Sequence, residues 1–171
     1  GIANGAPAFE LRDYTKVKNN GGSLIIATIR LMGGRREEDL VGSALVQRPE
    51  LFGAAVPIAG VLDLLRFQLF GQGAGWQGDM GSVDDPAEFT ALFKTSALHN
   101  VRSGTHYPPT LVVTSDSDVR VAPLHSYKFA AALQNAQAGG APILLRIETK
   151  SGHGGGSTRT QQIDQRAEIM S

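Results

Sequence analysis

A strand, a helix and a second strand in the C-terminal half constrain this fold more than any other feature. Residues 110–114 and 143–148 are short, mainly apolar runs. Between them, residues 123–137 carry apolar side chains at the spacing of one helix face. A helix that connects two strands allows them to lie parallel in one sheet. The sequence therefore predicts an α/β fold with a mostly parallel sheet.

The rest of the chain predicts elements of the same kind. Apolar runs at 24–29 and 52–58 are expected to be strands, the first covered on both faces in the parallel sheet. Three stretches carry one apolar face and are expected to be helices: 37–47, 86–93 and 158–170. Asp84 or Asp85 is the expected N-cap of the second helix. The glycine-rich stretch that holds the only tryptophan, Trp76, is expected to be a long loop without structure of its own.

The amino-acid composition limits the classes of partner and cofactor that the chain is expected to bind. Its 171 residues, with 16 basic and 16 acidic side chains, predict one domain over residues 1–171 with no net charge. Neither nucleic acid nor a membrane is expected to bind, because the chain lacks a basic field and a long apolar span. No metal or other cofactor is expected, since there is no cysteine and the four histidines form no close pair. Cellular location stays open between cytoplasm and periplasm. A first residue other than Met is expected of a fragment or a processed product.

Polar residues that suit catalysis follow the two strands of the C-terminal half. Asp116 and Asp118 come after the first strand, and His153 lies between glycines after the second. An acid and a later histidine are two members of a Ser-His-Asp system in the chain order of α/β-hydrolases, in which the nucleophile comes first. The pattern predicts a hydrolytic site, and either aspartate could be the acid.

Five segments resemble the catalytic domain of prolyl oligopeptidases, an α/β-hydrolase family of serine peptidases. They lie in order along the chain from about Gly42 onwards: 46–53, 60–67, 96–101, 117–126 and 150–154. The resemblance implies a three-layer α/β/α sandwich and a partial α/β-hydrolase fold. The β-propeller that covers the active site in the family is not expected here, so any active site would be more open.

The same resemblance implies roles for individual residues. It makes Asp118 the triad acid and His153 the triad base. Arg120 would bind a substrate carbonyl, Trp76 would stack on a substrate proline ring, and Val121 would line the same pocket. The implied activity is cleavage after proline in short peptides, or hydrolysis of small esters. From the residues alone, Arg120 could equally be a solvated charge and Trp76 a core residue.

The segment that should hold the nucleophile departs from the family pattern. Where the family has a glycine-flanked serine, the chain has Arg35, preceded by Gly33-Gly34. The nucleophile's own strand is expected to be missing, so that strand 24–29 would fill its place in the sheet. This departure favours an alternative interpretation, a catalytically inactive remnant or binding module with the same fold.

Two serines are candidates to replace the missing nucleophile. Ser43 lies about two turns into the helix at 37–47, and Ser23 precedes its strand, at the wrong end of a parallel sheet. Of the two, Ser43 is the preferred candidate. A half-emptied sheet would also leave an exposed strand edge, which predicts a homo-oligomer.

Overall fold

The structure is a computed structural model that describes residues 14–19, 22–27, 37–149 and 151–153, together with 159, 160, 163 and 167. Its strands are β1 (Tyr14–Asn19), β2 (Gly22–Ala27), β3 (Thr110–Ser115) and β4 (Ile143–Glu148). Its helices are α1 (Glu37–Gln47), α2 (Gln77–Met80), α3 (Pro86–Thr95) and α4 (Leu124–Ala136). Short 3-10 turns lie at Pro49–Leu51, Phe67–Leu69, Gly73–Trp76 and Leu98–Asn100.

The predicted β-α-β unit is confirmed by β3, α4 and β4. β3 and β4 run parallel, with Thr110 opposite Ile143 and Ser115 opposite Glu148. Five of the six residues of β3 are buried, as expected for a strand covered on both faces. The helix between the strands covers the sheet with Phe129 and Leu133, which are fully buried.

The predicted strand at 52–58 is an extended segment rather than a regular strand. It runs parallel to β3, with Ala55 opposite Thr110 and Ile58 opposite Val113. The ladder is interrupted at Pro57, which accepts a bond from the Val113 N–H at 2.9 Å but has no N–H to donate. β3 therefore lies between this segment and β4.

β2 corrects one prediction about the sheet. It pairs antiparallel with β1 in a two-stranded sheet, with Asn19 opposite Gly22, and is not a parallel strand beside β3. Residues 28 and 29 of the predicted strand lie outside the described residues. The two residues between the paired ends are Asn20-Gly21, a dipeptide typical of tight hairpins. Local turn chemistry therefore outweighs the apolar pattern that suggested a doubly covered strand.

The helices follow the sequence closely. α1 begins and ends where predicted, while α3 is longer at its end and α4 is one residue shorter at each end. Residues 159, 160, 163 and 167 are helical, in agreement with the predicted final helix. The glycine-rich stretch was expected to lack structure, which is wrong, because it contains a 3-10 turn and α2. Within the described residues, no helix is long and apolar enough to cross a membrane.

Asp85 rather than Asp84 caps α3. Its Oδ1 accepts hydrogen bonds from the main-chain N–H groups of Ala87 at 2.8 Å and Glu88 at 3.0 Å. We expect Asp85→Ala to lower the free energy of unfolding by about 1 kcal/mol, because two helix N–H groups lose their acceptor. Urea unfolding measures the change, and Asp84→Ala is the matched control. Equal effects of the two substitutions would contradict the assignment of the cap.

The main core lies between the sheet and the helices. Its buried apolar residues come from α1, the segment beside β3, the strands, α4 and the intervening turns: Leu45, Val46, Ala55, Leu62, Ala97, Tyr107, Val112, Phe129, Ala130, Leu133, Ala136 and Ile143. Packing of this kind fixes β3 and β4 against α4. The ends of these two strands are therefore held at one edge of the molecule, where the polar residues of the site follow.

Candidate active site

Asp118 and His153 meet at the carboxyl edge of the parallel sheet. Asp118 follows the end of β3 and His153 follows the end of β4. Carboxyl ends of parallel strands share one edge, the usual place of the active site in open α/β sheets. The Asp118 Oδ2 atom lies 2.8 Å from His153 Nδ1, a hydrogen-bonding distance.

The carboxylate of Asp118 is fixed by its own loop. Its Oδ1 accepts hydrogen bonds from the main-chain N–H groups of Arg120 and Val121, each at 2.9 Å. The side chain is fully buried, whereas Asp116 is exposed and accepts a bond from the Ser117 hydroxyl at 2.9 Å. The geometry thus pairs Asp118, and not Asp116, with the histidine.

This arrangement selects one form of the imidazole. A carboxylate can only accept, so the neutral ring of His153 carries its proton on Nδ1 and its lone pair on Nε2. A lone pair at Nε2 can take a proton from a hydroxyl or a water molecule, and the Asp118 carboxylate would stabilise the imidazolium that forms. The pair is therefore equipped for general-base chemistry.

The residues expected to bind substrate lie in the Asp118 loop or in the apolar cluster to which that loop contributes. The Arg120 side chain is exposed, Val121 is buried, and Trp76 is half-buried. Val121 belongs to a second apolar cluster against which Trp76 packs; its buried members are Val61, Leu64, Phe67, Leu92 and Val121. The structure thus brings Trp76 and Val121 into one cluster. Their roles toward a substrate, and that of Arg120, stay predictions.

Glycines allow the segment before Trp76 to lie against the Asp118 loop. Gly71 has a φ of 56°, and a Cβ placed there would lie 2.9 Å from the carbonyl oxygen of Arg120. The next N–H, of Gln72, donates to the same carbonyl at 3.3 Å. A Cβ at Gly73 would lie only 1.8 Å from the Phe67 carbonyl. A side chain at Gly71 would push this segment away from the acid loop, whereas one at Gly73 would disrupt the turn that the segment itself forms with Phe67.

The described residues do not bring a nucleophile into contact with His153. Arg35, expected in its place, lies outside the described residues, and Ser23 lies near the start of β2 opposite Lys18. Ser43 is buried on α1, and its hydroxyl donates to the Thr95 carbonyl at 2.6 Å. That bond gives Ser43 a structural function at the end of α3. Its role as nucleophile stays a prediction.

A buried polar network was missed by the sequence analysis. Its centre is Asp63, a fully buried carboxylate bonded to the Lys128 ammonium and lying 3.6 Å from the Arg66 guanidinium and 3.8 Å from His99 Nδ1. The Asp63 N–H donates to His125 Nδ1 at 3.2 Å. An acid within the apolar run 61–65 was the available signal, because a buried carboxylate requires partners.

Charge and burial act against each other in this network. Burial alone would raise the pKa of Asp63, but the hydrogen bond and the charge of Lys128 outweigh it and hold that pKa below its ordinary value. Burial lowers the pKa of His125 to about 4, with Asp63 opposing and Lys128 assisting the shift. Burial also lowers the pKa of His99. Both histidines are therefore neutral near pH 7.

We expect the network to make stability fall as pH falls from about 6.5 to about 4. The unfolded chain protonates His125 in this window while the folded chain does not, which costs about 3 kcal/mol across it. His125→Asn should flatten this dependence, since the amide oxygen can accept the Asp63 N–H without titrating. Urea unfolding at several pH values measures it, with His106→Asn at an exposed position as control. An unchanged slope in His125→Asn would contradict the assignment.

Comparison with known proteins matches most of this chain to one family. The family profile described as "Prolyl oligopeptidase family" matches residues 39–171. The chain belongs to the prolyl oligopeptidase family. A prolyl endopeptidase of Elizabethkingia miricola is 47% identical over 133 residues, which are 77% of this chain and 19% of that protein. A prolyl endopeptidase of Dictyostelium discoideum is 40% identical over 146 residues, 83% of this chain and 19% of that one.

Solved structures of prolyl oligopeptidases share the fold. One, from a study of two prolyl endopeptidases, is 40% identical, has a TM-score of 0.76, and is matched over 78% of this chain and 20% of that one. Oligopeptidase B of Leishmania major, at 24% identity and a TM-score of 0.74, shows likeness of fold. The partial α/β-hydrolase fold predicted from the sequence is confirmed. The chain spans about a fifth of the length of the relatives it matches.

Proposed function

We propose that this chain is a hydrolase of prolyl oligopeptidase type that acts on short proline-containing peptides or small esters. The observation that carries the proposal is the 2.8 Å contact between Asp118 Oδ2 and His153 Nδ1, at the carboxyl edge of a parallel sheet. Membership of the prolyl oligopeptidase family supports it, and relatives named prolyl endopeptidases support proline-containing substrates.

In the proposed reaction His153 acts first as a general base and then as a general acid, with Asp118 as its partner. His153 Nε2 takes the proton of the attacking oxygen as that oxygen bonds to the substrate carbonyl carbon, and Asp118 stabilises the charged ring. The histidine then returns the proton to the leaving amine or alkoxide as the tetrahedral intermediate collapses. Arg120 and the Trp76–Val121 cluster would bind the residue before the cleaved bond.

The attacking oxygen belongs to a serine in the proposed mechanism, and Ser43 is the candidate. Collapse of the first intermediate then leaves an acyl-serine, which water activated by the same histidine hydrolyses to release the acid product and restore the serine hydroxyl. The Ser43 hydroxyl would have to exchange the Thr95 carbonyl for His153 before it could lose its proton to the ring. A water molecule activated by the same histidine would give slower hydrolysis without a covalent intermediate.

One experiment tests the proposal and its alternative. Purified chain is assayed with a chromogenic proline-containing peptide and a small aryl ester, and is treated with a fluorophosphonate that labels active serines. Labelling that disappears in Ser43→Ala supports serine catalysis. Hydrolysis that needs His153 but shows no labelling supports activated water. Neither labelling nor hydrolysis would overturn the proposal and leave an inactive family member.

The remaining partner predictions also stay proposals. Neither nucleic acid nor a membrane is a proposed partner. Self-association through a sheet edge is proposed, and the pairing of β4 with β3 alone among the described strands supports it. Sedimentation measures it, and a monomer at every concentration would refute it.

A further inference from the structure

Two buried serines join the loop that carries Asp118 to the loop that carries His153. Ser115 ends β3 and Ser151 lies two residues before His153; each is only 4% exposed. The Ser115 hydroxyl donates to the Ser151 carbonyl oxygen. The two side-chain oxygens are 3.1 Å apart, a second hydrogen bond.

The two bonds assign the hydroxyl protons. Ser115 has a single hydroxyl proton, and the Ser151 carbonyl, which can only accept, takes it. The Ser151 hydroxyl must therefore donate to Ser115 Oγ. Ser115 takes part in both bonds and the Ser151 side chain in one, so the two serines are not equivalent.

The link lies where it can hold the histidine loop in place. The main-chain bond from the Asp116 N–H to the Glu148 carbonyl, at 3.0 Å, joins the two strand ends. Further along, Gly152 is exposed, and a Cβ there would meet nothing within 4 Å. Asp118 is fixed by N–H groups of its own loop, whereas His153 is brought to it from the other loop. Ser151 is the buried residue next to Gly152 and can hold that loop in place.

We propose that Ser115 and Ser151 are positioning residues that hold the imidazole of His153 against Asp118. The inference rests on the Asp118–His153 pair of the proposed function, but does not require turnover. Loss of the link would let the histidine loop move away from Asp118, so that the Nδ1 proton exchanges with water instead of staying hydrogen-bonded to the Asp118 carboxylate.

The test is the exchange of the His153 Nδ1 proton with water, measured by NMR on chain with labelled histidine. At about 1 kcal/mol per bond, we expect exchange about fivefold faster in Ser151→Ala and about thirtyfold faster in Ser115→Ala. Ser115→Cys, which keeps the shape of the side chain with a slightly larger atom and much weaker hydrogen bonds, should resemble Ser115→Ala. The matched control is Ser117→Ala, an exposed serine of the same loop, which should leave exchange unchanged.

The outcomes separate this inference from the proposed function. Unchanged exchange in Ser151→Ala and Ser115→Cys would overturn the positioning role, even if Ser115→Ala failed to fold. A wild-type spectrum without a protected Nδ1 proton would overturn it as well. Faster exchange in a chain that hydrolyses nothing would support the positioning role and refute the hydrolase.

Discussion

Asp118→Asn is expected to lower kcat for the proposed hydrolysis by about 10⁴-fold, the loss typical of this substitution in a Ser-His-Asp system. An asparagine can present an N–H donor where Oδ2 now accepts the Nδ1 proton. The imidazole would then carry its proton on Nε2, and the nitrogen that should accept a proton would already hold one. Initial rates with the aryl ester and the proline-containing peptide measure the effect.

The matched control for this prediction is Asp116→Asn. Asp116 lies in the same loop and is exposed, so the substitution removes the same charge near the site without altering the imidazole. We expect its kcat to stay close to that of the unaltered chain. His153→Ala should reproduce the loss seen in Asp118→Asn. Similar kcat values for the two asparagine variants would contradict the assignment of Asp118 as the partner of His153.

Lys128→Met is expected to lower the free energy of unfolding by about 3–5 kcal/mol, the range for a buried carboxylate that loses its partner. Asp63 has no exposed surface, and the bond from Lys128 is the strongest influence that keeps its pKa low. The remaining cation, Arg66, lies 3.6 Å away and is about half exposed, so it compensates only in part. Urea unfolding at pH 7 measures the loss.

The pH dependence of this loss identifies its cause. Without Lys128, burial should dominate and raise the pKa of Asp63, so the carboxyl would take up a proton more readily as pH falls. The difference between the variant and the unaltered chain should therefore shrink at low pH. Lys94→Met, at an exposed position on α3, is the control and should cost little. A loss that does not vary with pH would indicate that Lys128 contributes through packing instead.

Local sequence signals predicted most of the secondary structure. The helical spacing of 37–47 gave the bounds of α1, and the apolar run 143–148 gave those of β4. Asp85 was one of two cap candidates, and the contacts to two main-chain N–H groups chose between them. The dipeptide Asn20-Gly21 is typical of a hairpin turn, but our prediction gave more weight to the apolar run after it. The prediction that β2 is a parallel strand was therefore wrong.

The candidate site also contains residues that the sequence predicted and contacts that it did not. The resemblance to the family named Asp118 and His153, and their positions after two parallel strands predicted that they would lie at one edge of the sheet. Nothing in the spacing of Asp63, His125 and Lys128 along the chain predicts that they meet. Their contacts depend on how α4 packs on the segment 62–66, since this packing joins residues more than sixty positions apart.

The sequence by itself determined the strand, helix and strand of the C-terminal half, the family, and the acid and histidine of the candidate site. Those features depend on periodicity and on short motifs, which are local. Only the tertiary structure showed that Asp118 Oδ2 lies within hydrogen-bonding distance of His153 Nδ1, that the buried Asp63 carboxylate is paired with Lys128, and that Ser115 and Ser151 join the two loops. Polar contacts of this kind form between loops that the packed sheet brings together. The residues involved are far apart along the chain, so local sequence patterns do not predict that they meet.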